Sequence, residues 1–225
     1  LATEKQQDIN DLKYIETKIK NWLHSPARNM QVTGEDYYHG KHDILLKKRT
    51  VLGENGDLEE IHNLPNNRNV DNQYAKMVDQ KKNYLLGQPI SFDSEDKEYA
   101  ELLKKIFNKR VQKTFKDLGG LSIRGGIAWL YPYISDNEFK LKIFPAHEIL
   151  PFWNDTAHTE LEMAVRHYLV EKPYATTPLD LIQKVEIYTK NGIDYYTYEN
   201  NRLVPDVSKP HDNYLTVKAE GEETG

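Results

Sequence analysis

Histidines and carboxylates cluster between positions 147 and 158, and these side-chain types can support metal-assisted hydrolysis. His147 and Glu148 are adjacent, and Asp155 and His158 follow in a polar segment. Imidazole and carboxylate groups bind zinc and similar ions, and a bound ion can activate water for attack on an ester or phosphodiester. The spacings match no established catalytic motif, such as H-E-x-x-H. A metal-dependent hydrolase or nuclease using the His147–His158 region is therefore one function to weigh for this chain, as the alternative to a protein without enzymatic activity.

A second group of potential ligands surrounds residue 40. His39 and His42 flank Gly40, and Asp36 and Asp43 are close in sequence. A zinc site needs a further ligand from elsewhere in the chain, and no distant residue is marked by its spacing. We interpret this segment as a polar loop and predict no bound metal.

Other catalytic patterns are missing from the sequence. The glycine pairs at 119–120 and 125–126 fit neither the dinucleotide-binding nor the P-loop pattern, and no G-x-S-x-G motif occurs. The chain has no cysteine, which excludes thiolate nucleophiles, cysteine-based zinc sites and disulfides. We predict a protein that is not an enzyme and that needs no cofactor.

Composition limits the partners that the chain can attract. The 35 acidic residues outnumber the 30 basic ones, and the net charge of -5 gives no global attraction to nucleic acid. No apolar run approaches membrane-spanning length, and the first residues lack a signal-peptide pattern, so we expect an unexported protein without a membrane partner. The 38% hydrophobic content indicates a thin core. This fits either an elongated domain with much solvated surface or, as we favour, a core that other chain segments or subunits complete.

The first half of the chain, which carries the segment around residue 40, is predicted to be mainly helical. Apolar spacing predicts a helix over 3–24, capped by Thr3 and Gln6, and a short second helix that ends at Gly40. A helix over 70–86 should bury Tyr74, Met77, Val78 and Leu85 and should stop at Gly87, before Pro89. A short strand at 90–92, a helix capped by Ser94 and a further helix over 111–123 complete this half.

The second half changes to the period-two pattern of strands. Segments 127–134 and 139–144 should pair as a hairpin across the turn at 135–137. Further strands are predicted at 163–170, 185–189, 195–198 and 214–218, and Asn191-Gly192 is a strong hairpin signal. Asn55-Gly56, in the first half, marks another hairpin turn or an exposed loop.

This order predicts an α+β fold in which N-terminal helices are followed by a β-rich meander, because strands and helices do not alternate regularly. We divide the chain into a mainly helical region, 1–126, and a β-rich region, 127–225. The 15 tyrosines are a visible excess. Tyrosine is common at protein interfaces, so a monomeric peptide- or protein-binding module built on the sheet is a third interpretation.

Several segments resemble one family. The stretch 34–45 contains a Tyr-Tyr-x-Gly-x-His-Asp-Ile pattern, and similar matches occur at 64–68, 70–81, 84–89, 125–130 and 144–153. Together they resemble the SPP1-like portal proteins of tailed phages over most of the chain. The residues that carry this signature and are expected to serve structure or subunit contact are Tyr37, Tyr38, Gly40, His42, Asp43, Leu64, Pro65, Asn66, Asn67, Asn72, Gln73, Asp79, Gln80, Tyr84, Gly87 and Pro89.

The resemblance implies a structural subunit of a ring, twelve-fold in the virion, at one capsid vertex. Double-stranded DNA passes through such a ring during packaging and ejection, without sequence-specific binding. The ring also docks the terminase motor, the capsid and head-completion proteins. The resemblance further implies a wing-like fold for this chain, ending before the stem, clip, tunnel loop and crown, so no DNA-contacting residue is assigned. Assembly is expected in the host cytoplasm.

Overall fold

The computed structural model describes residues 12–135, 138–172 and 181–214, with the backbone of 218–219 and 222–223. Within these residues a largely helical first half precedes an antiparallel sheet, which confirms the predicted α+β class. The helices are α1 (Leu12–Leu23), α2 (Pro26–Tyr38), α3 (Gln73–Leu86), α4 (Lys97–Ile106) and α5 (Lys109–Gly125), and 3-10 turns occupy Asp43–Leu46 and Ala146–Glu148.

The strands form one larger sheet and several two-stranded pairs. The strands are β1 (Thr50–Leu52), β2 (Leu58–Glu60), β3 (Ala128–Ser135), β4 (Glu138–Pro145), β5 (Ile149–Trp153), β6 (Leu161–Glu171), β7 (Leu181–Tyr188), β8 (Ile193–Glu199), β9 (Arg202–Pro205), β10 (Lys218–Ala219) and β11 (Glu222–Glu223). Strands β5 to β9 pair in sequence order as an antiparallel meander, and β1–β2, β3–β4 and β10–β11 pair separately. The predicted hairpins at Asn55-Gly56 and Asn191-Gly192 are both present.

Side-chain caps set where the helices begin. The Ser25 hydroxyl accepts a hydrogen bond from the backbone N–H of Arg28 at 3.3 Å, and Pro26 occupies the first turn of α2. At α5 the Asn108 side chain accepts from two backbone N–H groups of the first turn. These caps satisfy donors that have no partner within the helix. Gly126 ends α5 in the left-handed conformation, φ +77°, which favours glycine.

The core lies between α1 and one face of the five-stranded sheet. Ile15 and Ile19 of α1 are buried, and Ile19 is 0% exposed. Their partners on the sheet and its edge are Met163, Val165, Val185, Ile187, Tyr198 and Leu203. The Glu16 carboxylate also accepts a 2.8 Å hydrogen bond from the backbone N–H of Leu203. The first described helix is thus packed across strands from the far end of the chain.

Two local predictions between α3 and α4 are wrong. Residues 90–92 form no strand; instead the Phe92 ring packs on Phe107, with centroids 4.5 Å apart. The cap of α4 is Asp96, whose carboxylate accepts from two first-turn N–H groups, whereas Ser94 accepts a hydrogen bond from the N–H of Asp96. Aromatic packing between segments, which local strand propensity does not encode, decides the path of this connection.

The buried face of α3 is rotated from the predicted one. Val78 is 4% exposed as expected and Tyr74 is partly buried, but Met77 is 61% exposed and Leu85 also faces solvent. Leu86 turns toward α5, where a side chain on Gly119 would collide with it. The glycine pair inside α5 therefore admits the neighbouring helix and selects which stripe of α3 is inward.

This rotation reverses an expectation about Met77. We expect Val78→Asp to lower the free energy of unfolding by about 3 kcal/mol or more, because it places an unpaired charge in a buried position. Met77→Asp, on the next residue of the same helix, should change it by less than about 0.5 kcal/mol because that side chain is exposed. Urea titration of both variants measures the difference, and equal losses would contradict the assigned face.

Some expectations fall outside the described residues. These are the Thr3 and Gln6 cap, the turn residues 136–137, and 215–217 of the last predicted strand. The start of that strand is wrong: Tyr214 lies in an irregular segment, and its hydroxyl donates to the carbonyl oxygen of Thr189 at 2.8 Å. Among the described residues beyond Tyr214, short strands lie at 218–219 and 222–223.

Candidate functional site

The Tyr-Tyr-x-Gly-x-His-Asp segment forms a self-bracing turn after α2. The Tyr37 hydroxyl donates to the Asp43 carboxylate at 2.8 Å, and the Tyr37 ring stacks on His42 with centroids 4.6 Å apart. Gly40 adopts φ +79°, which lets the chain reverse between these partners. The His42 ring nitrogen Nε2 lies 3.1 Å from the carbonyl oxygen of Tyr37. These side chains hold the turn.

Asn72 connects this turn to the next helix. Its Oδ1 accepts from the backbone N–H of Ala75 at 3.0 Å and caps α3. Its Nδ2 donates to the carbonyl oxygen of Tyr38 at 2.9 Å, at the end of α2. One side chain therefore satisfies backbone groups of two helices and fixes their relative position. Substituting this residue would leave polar groups without partners at both places.

Charged and aromatic groups join α2, α3 and α5. The Tyr38 hydroxyl donates to the Asp79 carboxylate at 3.0 Å, and the Lys82 ammonium donates to the same oxygen at 2.7 Å. The Arg124 guanidinium lies 4.0 Å from the Tyr38 ring centroid and forms two hydrogen bonds to Glu35, at 2.8 and 3.2 Å. We name Glu35, Tyr38, Asp79, Lys82 and Arg124 the helix junction.

Within the helix junction, the contact between Asp79 and Lys82 favours the ionised forms of these two residues. The hydrogen bond from Lys82 lowers the pKa of Asp79, and the bond from Tyr38 adds to this against the opposing effect of burial. The pKa of Lys82 is raised in turn, chiefly by its bond to Asp79. The carboxylates of Glu35 and Asp79 each accept a hydrogen bond from another helix, an arrangement that specifies geometry.

Close backbone approach makes the helix junction possible. A Cβ atom on Gly34 of α2 would collide with the carbonyl oxygen of Arg124 in α5, and one on Gly125 would crowd Ala146. Glycine at these positions lets α2 reach the α5 backbone and lets α5 reach the turn at 146. The side chains of Arg124 and Glu35 can then meet.

The Leu-Pro-Asn-Asn segment and Arg68 are hydrogen-bonded to residues 45–49, which precede them in the chain. Asn66 Nδ2 donates to the carbonyl oxygen of Lys47 at 2.8 Å. Arg49 Nη1 donates to the carbonyl oxygen of Pro65 at 3.1 Å, and Arg68 does the same to Leu45 at 3.3 Å. These bonds anchor both ends of the segment that contains β1 and β2. Leu64 and Asn67, in the same segment, are exposed.

Other signature residues are not brought into this network. Gln73, Gln80, Tyr84, Gly87 and Pro89 are exposed, together with Met77 and Leu85. Tyr84 projects almost entirely into solvent. Gly87 does end α3 but has right-handed backbone angles, so it caps without using the left-handed region. The outward side of α3 therefore exposes Met77, Tyr84 and Leu85 among polar side chains.

The residues of the hydrolase alternative are engaged in structural contacts. Glu148 pairs with Arg166 at 2.8 Å, and the carbonyl oxygen of His147 accepts from Arg28 at 3.0 Å. The pKa of His147 is lowered because burial disfavours the imidazolium. His158 stacks on Trp153, with ring centroids 5.3 Å apart. The histidines and Glu148 therefore contact three different partners.

Asp155 braces its own loop. Its carboxylate accepts hydrogen bonds from the backbone N–H groups of Glu160 and Thr159 and from the Thr159 hydroxyl. These bonds, led by the one from Glu160, lower the pKa of Asp155 to about 2. Within residues 12–135, 138–172 and 181–214 no three histidines, aspartates or glutamates are grouped so that they could hold a metal ion.

A buried polar cluster on the sheet was not anticipated from the sequence. Glu186 is 5% exposed and accepts from the hydroxyls of Tyr168 and Tyr188, each at 2.7 Å, and from Arg166 at 3.2 Å. Burial opposes ionisation, yet these donors outweigh it and lower the pKa of Glu186. Alternation in β6 and β7 places these residues on one face, but their pairing needs the strand register. Arg124, Lys82 and Glu35 were also missed, because their contacts depend on how α2, α3 and α5 pack together.

Several tyrosines line a groove beside this cluster. It has a volume of about 620 Å³ between the β3–β4 hairpin and the sheet, and its tyrosines are Tyr131, Tyr133, Tyr188, Tyr195 and Tyr214. An aromatic groove is one feature that the peptide-binding interpretation requires; the other is a monomeric chain. Four of these five tyrosines lie on strands and Tyr214 lies in an irregular segment, so part of the tyrosine excess has a structural use beside the sheet.

Comparison with known proteins places this arrangement in a class of phage structural proteins. The family described as phage portal protein, SPP1 Gp6-like, matches residues 19–224. The chain is 29% identical over 168 residues to the portal protein of Bacillus phage SPP1, which covers 72% of this chain and 32% of that protein. It is 27% identical over 194 residues to the portal protein of Clostridium phage phiCD119, covering 80% of this chain and 42% of that protein.

The chain belongs to the SPP1-like family of phage portal proteins. This confirms the resemblance read from the signature segments. The chain spans about a third to two fifths of the length of the curated relatives that it matches. In the part of the chain that the structure describes, no helix is both long and apolar enough to cross a membrane.

Proposed function

We propose that this chain is the wing portion of a portal subunit, which assembles into a ring at one vertex of a phage capsid. The ring is twelve-fold in the virion and is the conduit for double-stranded DNA during packaging and ejection. It docks the terminase motor, the capsid and the head-completion proteins, and it assembles in the host cytoplasm. The observation that carries the proposal is the family match over residues 19–224.

The use of the signature residues supports a structural role. Tyr38, Asn72 and Asp79 connect helices through hydrogen bonds, and Asn66 bonds to a neighbouring segment. These side chains therefore hold parts of the fold in fixed positions. A ring subunit must present the same surfaces to each neighbour, and rigid internal connections meet that need. We keep the division into a helical wing region, 1–126, and a β-rich wing region, 127–225, as part of this proposal.

The charge balance supports a passive relation to DNA. A net charge of -5 gives no global attraction to phosphates, whereas strong contacts would hold the duplex as it moves. We therefore propose that DNA passes without sequence-specific binding to this segment. Under this proposal ATP hydrolysis belongs to the motor that the ring docks.

Electron microscopy of the purified full-length protein tests the assembly. We expect closed rings with a central channel, with twelve subunits in particles taken from virions. A second measurement asks whether the protein supplied in trans restores packaging to a phage that lacks its own copy. Full-length protein that stays monomeric at every concentration, with no incorporation into capsids, would refute the ring and favour the peptide-binding alternative.

Enzyme assays test the hydrolase alternative. We expect no ATP hydrolysis and no metal-dependent cleavage of DNA above a buffer control, because the Glu148 and Asp155 carboxylates and the His158 ring are held in separate structural contacts. His158→Ala is the matched control, since it removes the candidate ligand from an exposed loop. Cleavage that requires a divalent ion and disappears in His158→Ala would establish the alternative.

A further inference from the structure

A two-stranded arm projects from the helical half of the chain. The hairpin arm, residues 49–61, is closed at its base by a 2.8 Å hydrogen bond from the N–H of Ile61 to the carbonyl oxygen of Arg49. It turns at Gly56, φ +82°, and extends about 20 Å at the usual rise per residue. Every residue of β1 and β2 is exposed. A lone two-stranded hairpin is marginally stable in water, so this arm lacks the packing that normally supports one.

The end of the arm is both apolar and acidic. Leu52 and Leu58 are paired across the strands and are 69% and 72% exposed. Glu54, Asp57 and Glu59 surround them, and no basic residue lies between 51 and 59. The lysine and arginine side chains of this region lie at the base, where Lys48 pairs with Glu60 at 3.1 Å. The tip thus presents two exposed leucine side chains flanked by negatively charged carboxylates.

A groove elsewhere on the chain has the complementary character. It lies between the corner of α4 and α5 and the start of β4, with a volume of about 310 Å³. Its apolar walls are Ile106, Val111, Phe139 and Leu141, and its rim carries Lys105, Arg110 and Lys140 with one acid, Glu138. Residues 102–116 contain Lys104, Lys105, Lys109, Arg110, Lys113 and Lys116 and no acidic residue.

We propose that the leucine-bearing tip of the hairpin arm of one copy seats in this groove of a second copy. The volume accommodates a leucine side chain, and the carboxylates of the tip meet the basic rim. The contact joins two different surfaces, so each copy has one arm to give and one groove to fill, and the contact propagates around a ring. The inference rests on the proposed ring and names the surfaces that meet in it.

The apolar parts of both surfaces favour a second copy over a nucleic acid as the occupant. A phosphate backbone would use the lysines but would leave the apolar walls uncovered, and Glu138 would repel it. The arm supplies leucine for the walls and carboxylate for the rim. Both surfaces lie on one chain, so copies of this protein bring them together at high concentration in an oligomer.

Paired cysteines in the full-length protein test the contact, because these 225 residues contain no cysteine of their own. Protein carrying Asp57→Cys is mixed with protein carrying Arg110→Cys, oxidised mildly, and digested for identification of the linked peptides. We expect at least about tenfold more linkage than for Asp57→Cys mixed with Arg202→Cys, since only the first pair has a raised effective concentration. Arg202 is a matched exposed arginine at the start of β9.

A second substitution distinguishes linkage that depends on packing of the leucine tip in the groove from linkage through random collision of two copies. Leu58→Asp beside the cysteine should reduce the linkage to the control level, whereas Leu46→Asp, at an equally exposed leucine outside the tip, should leave it unchanged. Rings in the microscope without linkage above the control pair would overturn this contact and leave the ring standing. Absent linkage combined with duplex DNA binding that Arg110→Glu abolishes would instead make the groove a nucleic-acid surface.

Discussion

Glu186→Ala is expected to lower the free energy of unfolding by about 3–5 kcal/mol, the range found when one partner is removed from a buried charge pair. The substitution leaves the hydroxyls of Tyr168 and Tyr188 without their acceptor and leaves Arg166 with Glu148 as its remaining carboxylate. The Arg166 side chain is mostly buried, so water cannot fully replace the lost partner. Urea titration measures the loss.

Glu162→Ala is the matched control for this effect. Glu162 lies on β6 and pairs with Lys190 at 3.1 Å, but that lysine is largely exposed. Exposed ion pairs contribute about 0–1 kcal/mol, so the control should remain close to the parent. A Glu186→Ala protein as stable as the control would show that the buried cluster is not a stabilising unit.

Acid should weaken the same part of the sheet. The pKa of Glu186 is lowered in the folded chain, and the hydrogen bond from Lys184 lowers the pKa of Asp206 to about 2. A carboxyl group with a lower pKa in the folded state stabilises the fold above its unfolded pKa, and that stability is lost as the pH falls. Thermal unfolding should therefore occur at lower temperature between about pH 4 and pH 2.

Ile19→Ala is the second substitution with a large expected effect. Ile19 is fully buried between α1 and the sheet, and truncating such a side chain costs about 2–5 kcal/mol through lost burial and the cavity that remains. The loss should be accompanied by separation of α1 from the sheet, which hydrogen exchange at the α1 amides detects. Ile90→Ala, at an exposed isoleucine, is the matched control. Equal free energies of unfolding for Ile19→Ala and Ile90→Ala would contradict the packing of α1 against the sheet.

Local signals in the sequence predicted the elements better than their contacts. The Asn55-Gly56 and Asn191-Gly192 signals predicted hairpins that are present, because such turns depend on neighbouring residues. The failure at 90–92 has the opposite cause, since a strand needs a partner and Phe92 packs on a helix-end aromatic instead. The signature segments were informative about the family, and the site roles of exposed residues such as Gln80 and Tyr84 stay a prediction.

The sequence by itself determined that a mainly helical first half precedes a β-rich second half, the hairpin turns at 55–56 and 191–192, and the portal family, because these depend on neighbouring residues or on matching segments. Only the tertiary structure decided which side of α3 is buried, that α1 covers the sheet, and that Arg124 meets Glu35. It also decided that His147 and His158 serve separate contacts. Each of these depends on residues far apart in the chain, whose approach is set by close packing and by strand register.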